Sequence, residues 1–214
     1  LLQVSLPFSP SKKSDMDNKK VIVLTTGGTI AMKLDPAHGI VPAVSGEDLV
    51  ASVPGLREAC PIEVMEFSNI PSPHMTPKRM FELGNKVEEL LRHEDILGVV
   101  ITHGTDTLAY TAALLTHLLP HFDKPLVLTG SMLPMGVPDS DAPRNLLDAF
   151  RTAADRRAGV YAVMNGQILH GSHVFKQHST EIDAFLSANA APAGEIRESE
   201  VHWNTPAPVP SGEP

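Results

Sequence analysis

The chain has 214 residues, of which 42% are hydrophobic and 20% charged, and these proportions are ordinary for one globular domain or slightly more. The formal net charge of −8 argues against nucleic acid or an anionic membrane surface as a partner. No apolar run approaches the roughly 18 residues that a membrane-spanning helix requires. The single cysteine, Cys60, excludes an intrachain disulfide and a thiolate metal cluster, and it is compatible with a cytoplasmic location.

The chain begins with a predicted disordered tail over residues 1–18, where Pro, Ser and Lys interrupt a short apolar start. Residues 21–24 (VIVL) form an apolar, β-branched run that is typical of a strand buried on both faces of a parallel sheet. This run leads directly into residues 25–29 (TTGGT), where two glycines permit a tight turn and a close backbone approach to a ligand. Taken alone, the same stretch also fits an ordinary glycine turn whose threonines bond to nearby backbone.

A long loop is predicted over residues 31–45, which contain Pro36, Gly39 and Pro42, and loops of this length often act as lids. Capping residues and apolar spacing then predict a helix over 45–53, a strand over 62–67, a loop over 68–77 and a helix that begins after Thr76. Pro77 suits the first position of that helix, and apolar residues recur at helical spacing as far as Leu91.

The second half of the chain alternates strands and helices. The predicted elements are a strand over 97–102, a helix from 105 to shortly before 120, a strand over 125–129, a loop over 130–141, a helix over 145–154, a strand over 159–164, and short strands and loops over 167–186. Asn165-Gly166 predicts a hairpin turn. The alternation predicts an α/β fold with a mostly parallel, Rossmann-like sheet flanked by helices. Residues 189–214, rich in Ala and Pro, are predicted to be a linker.

Hydroxyl side chains follow two of the predicted strands. Thr29 comes after the first strand, and Thr105 with Asp106 comes after the strand over 97–102. The carboxyl ends of parallel strands share one rim of a sheet, where ligands bind, so these groups are expected to lie together. A helix that starts near Thr105 also points free N–H groups at that rim, where they favour negative charge. Considered singly, Asp106 also fits an acidic residue that merely complements the helix dipole.

The two stretches resemble the paired signatures of bacterial-type L-asparaginases and glutaminase-asparaginases. Residues 25–31 (TTGGTIA) match the first signature and residues 101–107 (ITHGTDT) match the second. Lys176 matches the family's catalytic lysine, since an apolar residue precedes it and Asp-Ala-Phe follows it. The resemblance runs from about residue 19 to 206. It implies the large N-terminal catalytic domain of this family over 19–188, with residues 189–214 leading toward a smaller C-terminal domain that is absent here.

The resemblance also implies the roles of the site residues. Thr29 would be the nucleophile that attacks the side-chain amide. Thr105, Asp106 and Lys176 would move protons and position water, and Asp106 would also bind the substrate's α-ammonium group. A lysine that acts as a base needs a depressed pKa, which burial in a closed site can provide.

Further positions are implied to bind the substrate. Ser72 matches the position that binds the substrate carboxylate, judged by its distance from residues 75–76. Ser131 matches a loop beside the bound amide, and Gly28 and Gly104 are implied to line the site within the two signatures.

Other chemistries fit the sequence poorly. His117 and His121 are separated by Pro120, and no HExxH-type pattern occurs, so the histidines predict no metal site. The chain contains no GxSxG elbow, and residues 26–29 lack both the GxGxxG spacing and a P-loop lysine. No cofactor or metal is therefore expected, and the expected partner is a small-molecule substrate, without nucleic acid or membrane.

The sequence thus predicts an amidohydrolase that acts on L-asparagine, and possible action on L-glutamine stays open. Two alternatives remain: a truncated, inactive domain that serves as a binding or assembly module, and the amidase subunit of a tRNA-dependent amidotransferase. The resemblance implies a homo-oligomer for the full-length protein. Since the family closes its site with the second domain, the 214-residue chain by itself is expected to fold, to be weakly active or inactive, and to self-associate.

Overall fold

The computed structural model describes residues 19–35, 39–42, 45–53, 56, 61–119, 122–204 and 206. The predicted tail over 1–18 lies outside these residues, as do positions 205 and 207–214 of the predicted linker.

The described residues contain twelve strands: β1 Lys20–Gly27, β2 Met32–Asp35, β3 Gly39–Pro42, β4 Ile62–Ile70, β5 Ile96–Thr102, β6 Pro125–Thr129, β7 Gly159–Met164, β8 Gln167–His170, β9 Val174–Lys176, β10 Phe185–Ser187, β11 Gly194–Arg197 and β12 Glu200–Trp203. The α-helices described are α1 Gly46–Ala51, α2 Pro77–Leu91, α3 Thr105–Leu118 and α4 Ala142–Ala154. Short 3-10 helices occur at Thr29–Ala31 and Ser72–His74.

The centre of the fold is an eight-stranded sheet of order β12-β11-β8-β7-β6-β5-β1-β4. Strands β4, β1, β5, β6 and β7 pair in parallel, whereas β8, β11 and β12 extend one side in antiparallel pairing. This arrangement confirms the predicted α/β fold with a mostly parallel sheet.

Helices cover both faces of the sheet, which explains why its central strands are apolar throughout. Side chains of β1 alternate between two buried clusters, with Val21 and Val23 in one and Ile22 and Leu24 in the other. Helices α1 and α4 contribute to the first cluster, and α2 and α3 contribute to the second. A strand with both faces buried loses its polar alternation, as the sequence of β1 shows.

The predicted loop over residues 31–45 is wrong in part. The structure places a 3-10 turn at Thr29–Ala31, followed by an antiparallel hairpin of β2 and β3. The sequence did not predict these short strands, because residues 36–42 contain prolines and a glycine, which usually indicate loops.

The predicted linker is wrong for residues 194–203, which form β11 and β12 and join the main sheet through β8. Each strand has only four residues. The turn between them is Glu198-Ser199, with φ values of 49° and 72°. Positive φ angles at both positions normally select Asn and Gly, so this turn gave no sequence signal.

Other predicted boundaries agree closely with the structure. The hairpin turn at Asn165-Gly166 joins β7 to β8, with φ values of 48° and 77°. Helix α4 begins at Ala142, three residues earlier than predicted, and β4 extends as far as Ile70. No helix in the described part of the chain is long and apolar enough to cross a membrane.

Candidate active site

The loops that contain Gly28, Gly104 and Ser72 meet at the carboxyl ends of the strands, with almost no side chain between them. A Cβ atom on Gly28 would lie 2.4 Å from Gly104 Cα, and a Cβ atom on Gly104 would lie 2.5 Å from Ser72 Cβ. Gly28 also has a φ of 85°, which a residue with a side chain adopts with strain. Only glycine permits this contact. Since Thr29 and Thr105 each follow one of these glycines, the contact brings the two predicted hydroxyl positions to one place on the rim.

Lys176 reaches this place from a distant part of the chain. Its Nζ donates hydrogen bonds to Thr105 Oγ1 at 2.8 Å and to Asp106 Oδ1 at 2.7 Å. The lysine side chain is 15% exposed, whereas that of Asp106 is 62% exposed. Lys176 is the last residue of β9 and pairs with the buried Phe185 of β10. The structure therefore joins a partly buried ammonium group, a hydroxyl and an accessible carboxylate.

Ser72 caps the start of α3 from outside the helix. Its hydroxyl accepts a hydrogen bond from Asp106 N at 3.2 Å, and its carbonyl accepts one from Thr107 Oγ1 at 2.8 Å. Gly104, at the N-cap position, offers no side-chain cap. Ser72 therefore supplies a partner that the helix itself lacks, and it becomes a fixed part of the site.

The loop after β6 forms another side of the site. A Cβ atom on Gly130 would lie 2.4 Å from His103 O and 3.4 Å from Thr105 Cγ2. The next residue, Ser131, is fully buried, and its hydroxyl donates to Leu133 O at 2.6 Å. The Ser131 hydroxyl is therefore engaged within its own loop, while the backbone of this loop packs beside Thr105.

His103 is a structural part of the site that the sequence did not single out. The ring is fully buried, with Nδ1 2.8 Å from Gly104 O and Nε2 3.0 Å from Thr111 Oγ1. Because a carbonyl only accepts, Nδ1 carries the proton and Nε2 accepts from Thr111. Burial lowers the pKa of His103 to about 4, so the ring is neutral near pH 7. In the sequence, the feature that could have indicated this structural role is the position of His103 between a buried strand and a glycine.

Asp141 and Asn145 were also missed. The Asp141 carboxylate accepts hydrogen bonds from Met132 N at 2.9 Å and Leu133 N at 3.0 Å, and Asn145 Nδ2 donates to Gly130 O at 3.0 Å. The sequence placed Asn145 at the start of a helix, where asparagine is common. It lies instead within the first turn of α4 and is buried. Its burial results from tertiary packing, so the sequence alone carried no signal for it.

The described residues contain no group of three or more His, Cys, Asp or Glu side chains that could hold a metal ion. The rings of two neighbouring histidines, His170 and His173, have centroids 5.5 Å apart. Burial and the neighbouring His173 and His117 lower the pKa of His170.

Comparisons with known proteins identify the family of this chain. A family model described as "Asparaginase, N-terminal" matches residues 20–209. An L-asparaginase of Thermococcus kodakarensis is 38% identical over 197 residues, which are 91% of this chain and 59% of the relative. A glutaminase-asparaginase of Pseudomonas aeruginosa is 35% identical over 94% of this chain and 58% of its own length. A glutamyl-tRNA(Gln) amidotransferase subunit of Pyrococcus abyssi is 38% identical over 83% of this chain and 42% of its own length.

Solved structures show the same relationship. The structure of the thermostable L-asparaginase from Thermococcus kodakarensis superposes with a TM-score of 0.83 at 36% identity, covering 91% of this chain and 58% of that one. A probable cytoplasmic L-asparaginase from Campylobacter jejuni gives a TM-score of 0.78 at 34% identity, covering 87% of this chain and 57% of that one. The fold is thus that of the asparaginases, and the chain belongs to the asparaginase family. It spans about three fifths of the length of its asparaginase relatives.

Proposed function

We propose that this chain carries the nucleophile and the proton-transfer group of an amidohydrolase that converts L-asparagine into L-aspartate and ammonia. One observation carries the proposal: Lys176 Nζ bonds both Thr105 Oγ1 and Asp106 Oδ1, beside the Gly28–Gly104 contact. Relatives named L-asparaginase and glutaminase-asparaginase support this choice of reaction.

In the first half of the reaction, the Thr29 hydroxyl attacks the carbonyl carbon of the side-chain amide. An ester forms between Thr29 and the substrate, the carbon–nitrogen bond breaks, and the hydroxyl proton leaves with the nitrogen as ammonia. Thr29 follows two glycines, and the second of them, Gly28, contacts Gly104 at the N-cap of α3. The free N–H groups of a helix start favour the negative charge that develops on the carbonyl oxygen.

In the second half, water hydrolyses the ester and regenerates the Thr29 hydroxyl. Thr105 and Lys176 are hydrogen-bonded, so a proton can pass between them while Asp106 balances the charge on the lysine. The water oxygen bonds to the acyl carbon and keeps one proton, its other proton passes through this group to Thr29 Oγ, the bond between the acyl carbon and Thr29 Oγ breaks, and L-aspartate leaves.

The substrate's charged groups have matching partners on the same rim. The exposed carboxylate of Asp106 suits an α-ammonium group, and Ser72 suits an α-carboxylate beside the start of α3. Gly28 and Gly104 leave room for a close approach, and the loop that carries Ser131 lies next to Thr105, where the amide would sit.

A second candidate function is the amidase subunit of a tRNA-dependent amidotransferase, because the glutamyl-tRNA(Gln) amidotransferase subunit of Pyrococcus abyssi is as similar to this chain as the L-asparaginase is. An inactive binding or assembly module is the remaining alternative. The homo-oligomer and the cytoplasmic location stay predictions.

The test is ammonia release from L-asparagine and from L-glutamine. We would assay the 214-residue chain and the same chain joined to the C-terminal remainder of the Thermococcus kodakarensis relative, because relatives are longer than this chain. Release from L-asparagine by either form supports the proposal. Release from L-glutamine alone would favour the amidotransferase subunit. Two folded forms that release no ammonia from either substrate would leave the binding module.

A further inference from the structure

The loop over residues 130–133 is held at both ends by buried polar side chains around the start of α4. Asn145 Nδ2 donates to Gly130 O at 3.0 Å, and the Asp141 carboxylate accepts from Met132 N at 2.9 Å and Leu133 N at 3.0 Å. Asn145 Nδ2 also donates to Asp141 Oδ2 at 2.9 Å, so the two anchors hold each other. Asn145 is 1% exposed. These bonds fix the loop relative to the helix.

The other end of the Asn145 amide faces the β7–β8 turn. Its Oδ1 accepts from Asn165 N at 2.9 Å, and the side chain of Asn165 donates to Asp183 Oδ1 at 3.4 Å. Asp183 lies two residues before Phe185, the residue that pairs with Lys176 across β9 and β10. Asn145 is therefore bonded on one side to the loop that packs on Thr105. On the other side it is bonded to the β7–β8 turn, which contacts the segment leading into β10, the partner strand of β9 and its Lys176.

The bond to Gly130 O also fixes the direction of the next N–H group. A trans peptide is planar, with its C=O and N–H pointing in opposite directions. Since Asn145 holds the Gly130 carbonyl toward α4, the N–H of Ser131 points away from α4. The orientation of this peptide, which packs beside Thr105, is thus set by Asn145.

We propose that Asn145 is a positioning residue for amide hydrolysis, which orients the Gly130–Ser131 peptide beside Thr105 and ties it to the strands of Lys176. The inference rests on the function proposed above. It assigns Asn145 no contact with the substrate.

The position requires an amide, because it donates on one side and accepts on the other. An aspartate has nearly the same shape, but its carboxylate would face both Gly130 O and the Asp141 carboxylate and would lose the two donated hydrogen bonds. The peptide would then move away from the reacting amide. A displacement of about 1 Å can lower a rate by about 10²-fold.

The test compares Asn145→Asp with Leu146→Ala in the form of the protein that releases ammonia from L-asparagine. Leu146 is the next residue of α4 and is fully buried in the apolar cluster between α4 and the sheet. Its truncation weakens packing of the same helix and leaves the polar anchors unchanged. We expect Asn145→Asp to lower kcat about 10- to 100-fold with a smaller change in KM. Leu146→Ala should lower Tm while kcat, measured well below Tm, stays within about threefold of wild type.

Backbone hydrogen exchange supplies a readout that does not depend on turnover. The amides of Met132 and Leu133 should exchange about tenfold faster in Asn145→Asp than in wild type, and in Leu146→Ala they should change no more than other amides. If the aspartate variant does not fold, Asn145→Ala takes its place, since it removes the same hydrogen bonds without adding a charge.

Wild-type turnover in a folded Asn145 variant would overturn the proposal, and so would equal losses of kcat in the Asn145 and Leu146 variants. If the wild-type protein itself releases no ammonia, the proposed function fails instead. Hydrogen exchange then decides the positioning inference: unchanged exchange at Met132 and Leu133 overturns it, and faster exchange confined to this loop supports it.

Discussion

The parallel strands end in two rims, a carboxyl edge where the strands finish and an amino edge where they begin. These two edges are held together in different ways. At the carboxyl edge, loops touch through backbone, as where Gly28 packs on Gly104, and the polar groups around them are largely buried. At the amino edge, Lys20 Nζ lies 2.8 Å from Glu63 Oε2 and 3.1 Å from Asp95 Oδ2, and all three side chains are substantially exposed. The first edge is fixed by packing, whereas the second is fixed by flexible side chains in water.

This difference bears on which edge can support catalysis. Backbone contacts without intervening side chains leave little freedom, so reacting groups keep one geometry. Exposed ion pairs adapt their geometry, and water screens them, so each contributes little. We therefore expect substitutions at the carboxyl edge to change activity strongly and substitutions at the amino edge to change it hardly at all.

Removal of the proposed nucleophile should have the largest effect. Thr29→Ala should lower the rate of ammonia release from L-asparagine by about 10³-fold or more, because it removes the hydroxyl that is proposed to form the ester. Far-ultraviolet circular dichroism should be unchanged, since Thr29 lies at the rim and not in a strand of the core. Thr29→Ser should retain part of the activity. Full turnover in a folded Thr29→Ala variant would remove Thr29 from the mechanism.

Lys176→Met should be the next most damaging change. It removes the ammonium group that bonds Thr105 and Asp106 but keeps much of the side-chain volume. We expect a loss of about 10²-fold or more in turnover, while L-aspartate still binds, as measured by calorimetry. If binding and turnover fall together, Lys176 holds the site together and does not act in proton transfer.

The sequence predicted the strands and hydroxyl groups of the carboxyl edge better than the residues and short strands that surround them. Buried β-branched runs are a local signal, so β5 and β6 were predicted nearly to the residue. Strand β1 was predicted too short, because it continues to Gly27 through residues that were predicted as a turn. The placement of Thr105 and Asp106 then followed from the common direction of parallel strands. Lys176 is different, because nothing in its own surroundings distinguishes it from other lysines. Its contact with Asp106 spans 70 residues, and only resemblance to a family identified it in advance.

Asn145 could not be assigned from sequence for a related reason. Its partners are Gly130, 15 residues earlier, and Asn165, 20 residues later, and both bonds depend on how α4 packs on the sheet. Tertiary packing, and not local preference, decides such a role. The same holds for β11 and β12, which are too short to be recognised before β8 offers an edge to pair with.

His103 should link the stability of the carboxyl edge to pH. Its pKa is lowered from 6.5 to about 4 by burial, so the unfolded chain binds a proton more tightly than the folded chain does. The free energy of unfolding should therefore fall as pH drops from about 6.5 to about 4, by roughly 3 kcal/mol from this group.

The measurement is denaturant unfolding at several pH values for wild type and His103→Gln, which keeps a donor and an acceptor. Subtracting one series from the other isolates His103 from His170, whose pKa is lowered as well. Parallel curves over the whole pH range would show that His103 is not the buried neutral group described above.

The amino edge should give the smallest effect. Lys20→Met removes both ion pairs, and we expect Tm to shift by no more than about 2 °C and ammonia release to stay at the wild-type rate, because exposed pairs contribute little.

The pH dependence of this small shift identifies its source. Hydrogen bonds to Glu63 and Asp95 raise the pKa of Lys20 above 10.5, and the hydrogen bond from Lys20 lowers the pKa of Asp95 below 3.8. The stabilisation from Asp95 is present above pH 3.8 and is lost as pH falls through its folded pKa. The stabilisation from Lys20 is present below pH 10.5 and is lost as pH rises through its folded pKa. The difference in Tm between wild type and Lys20→Met should thus be constant across neutral pH, vanish at both extremes and shrink in high salt.

A large loss of activity in this variant would mean that the two edges of the sheet are coupled, and the contrast between them would fail.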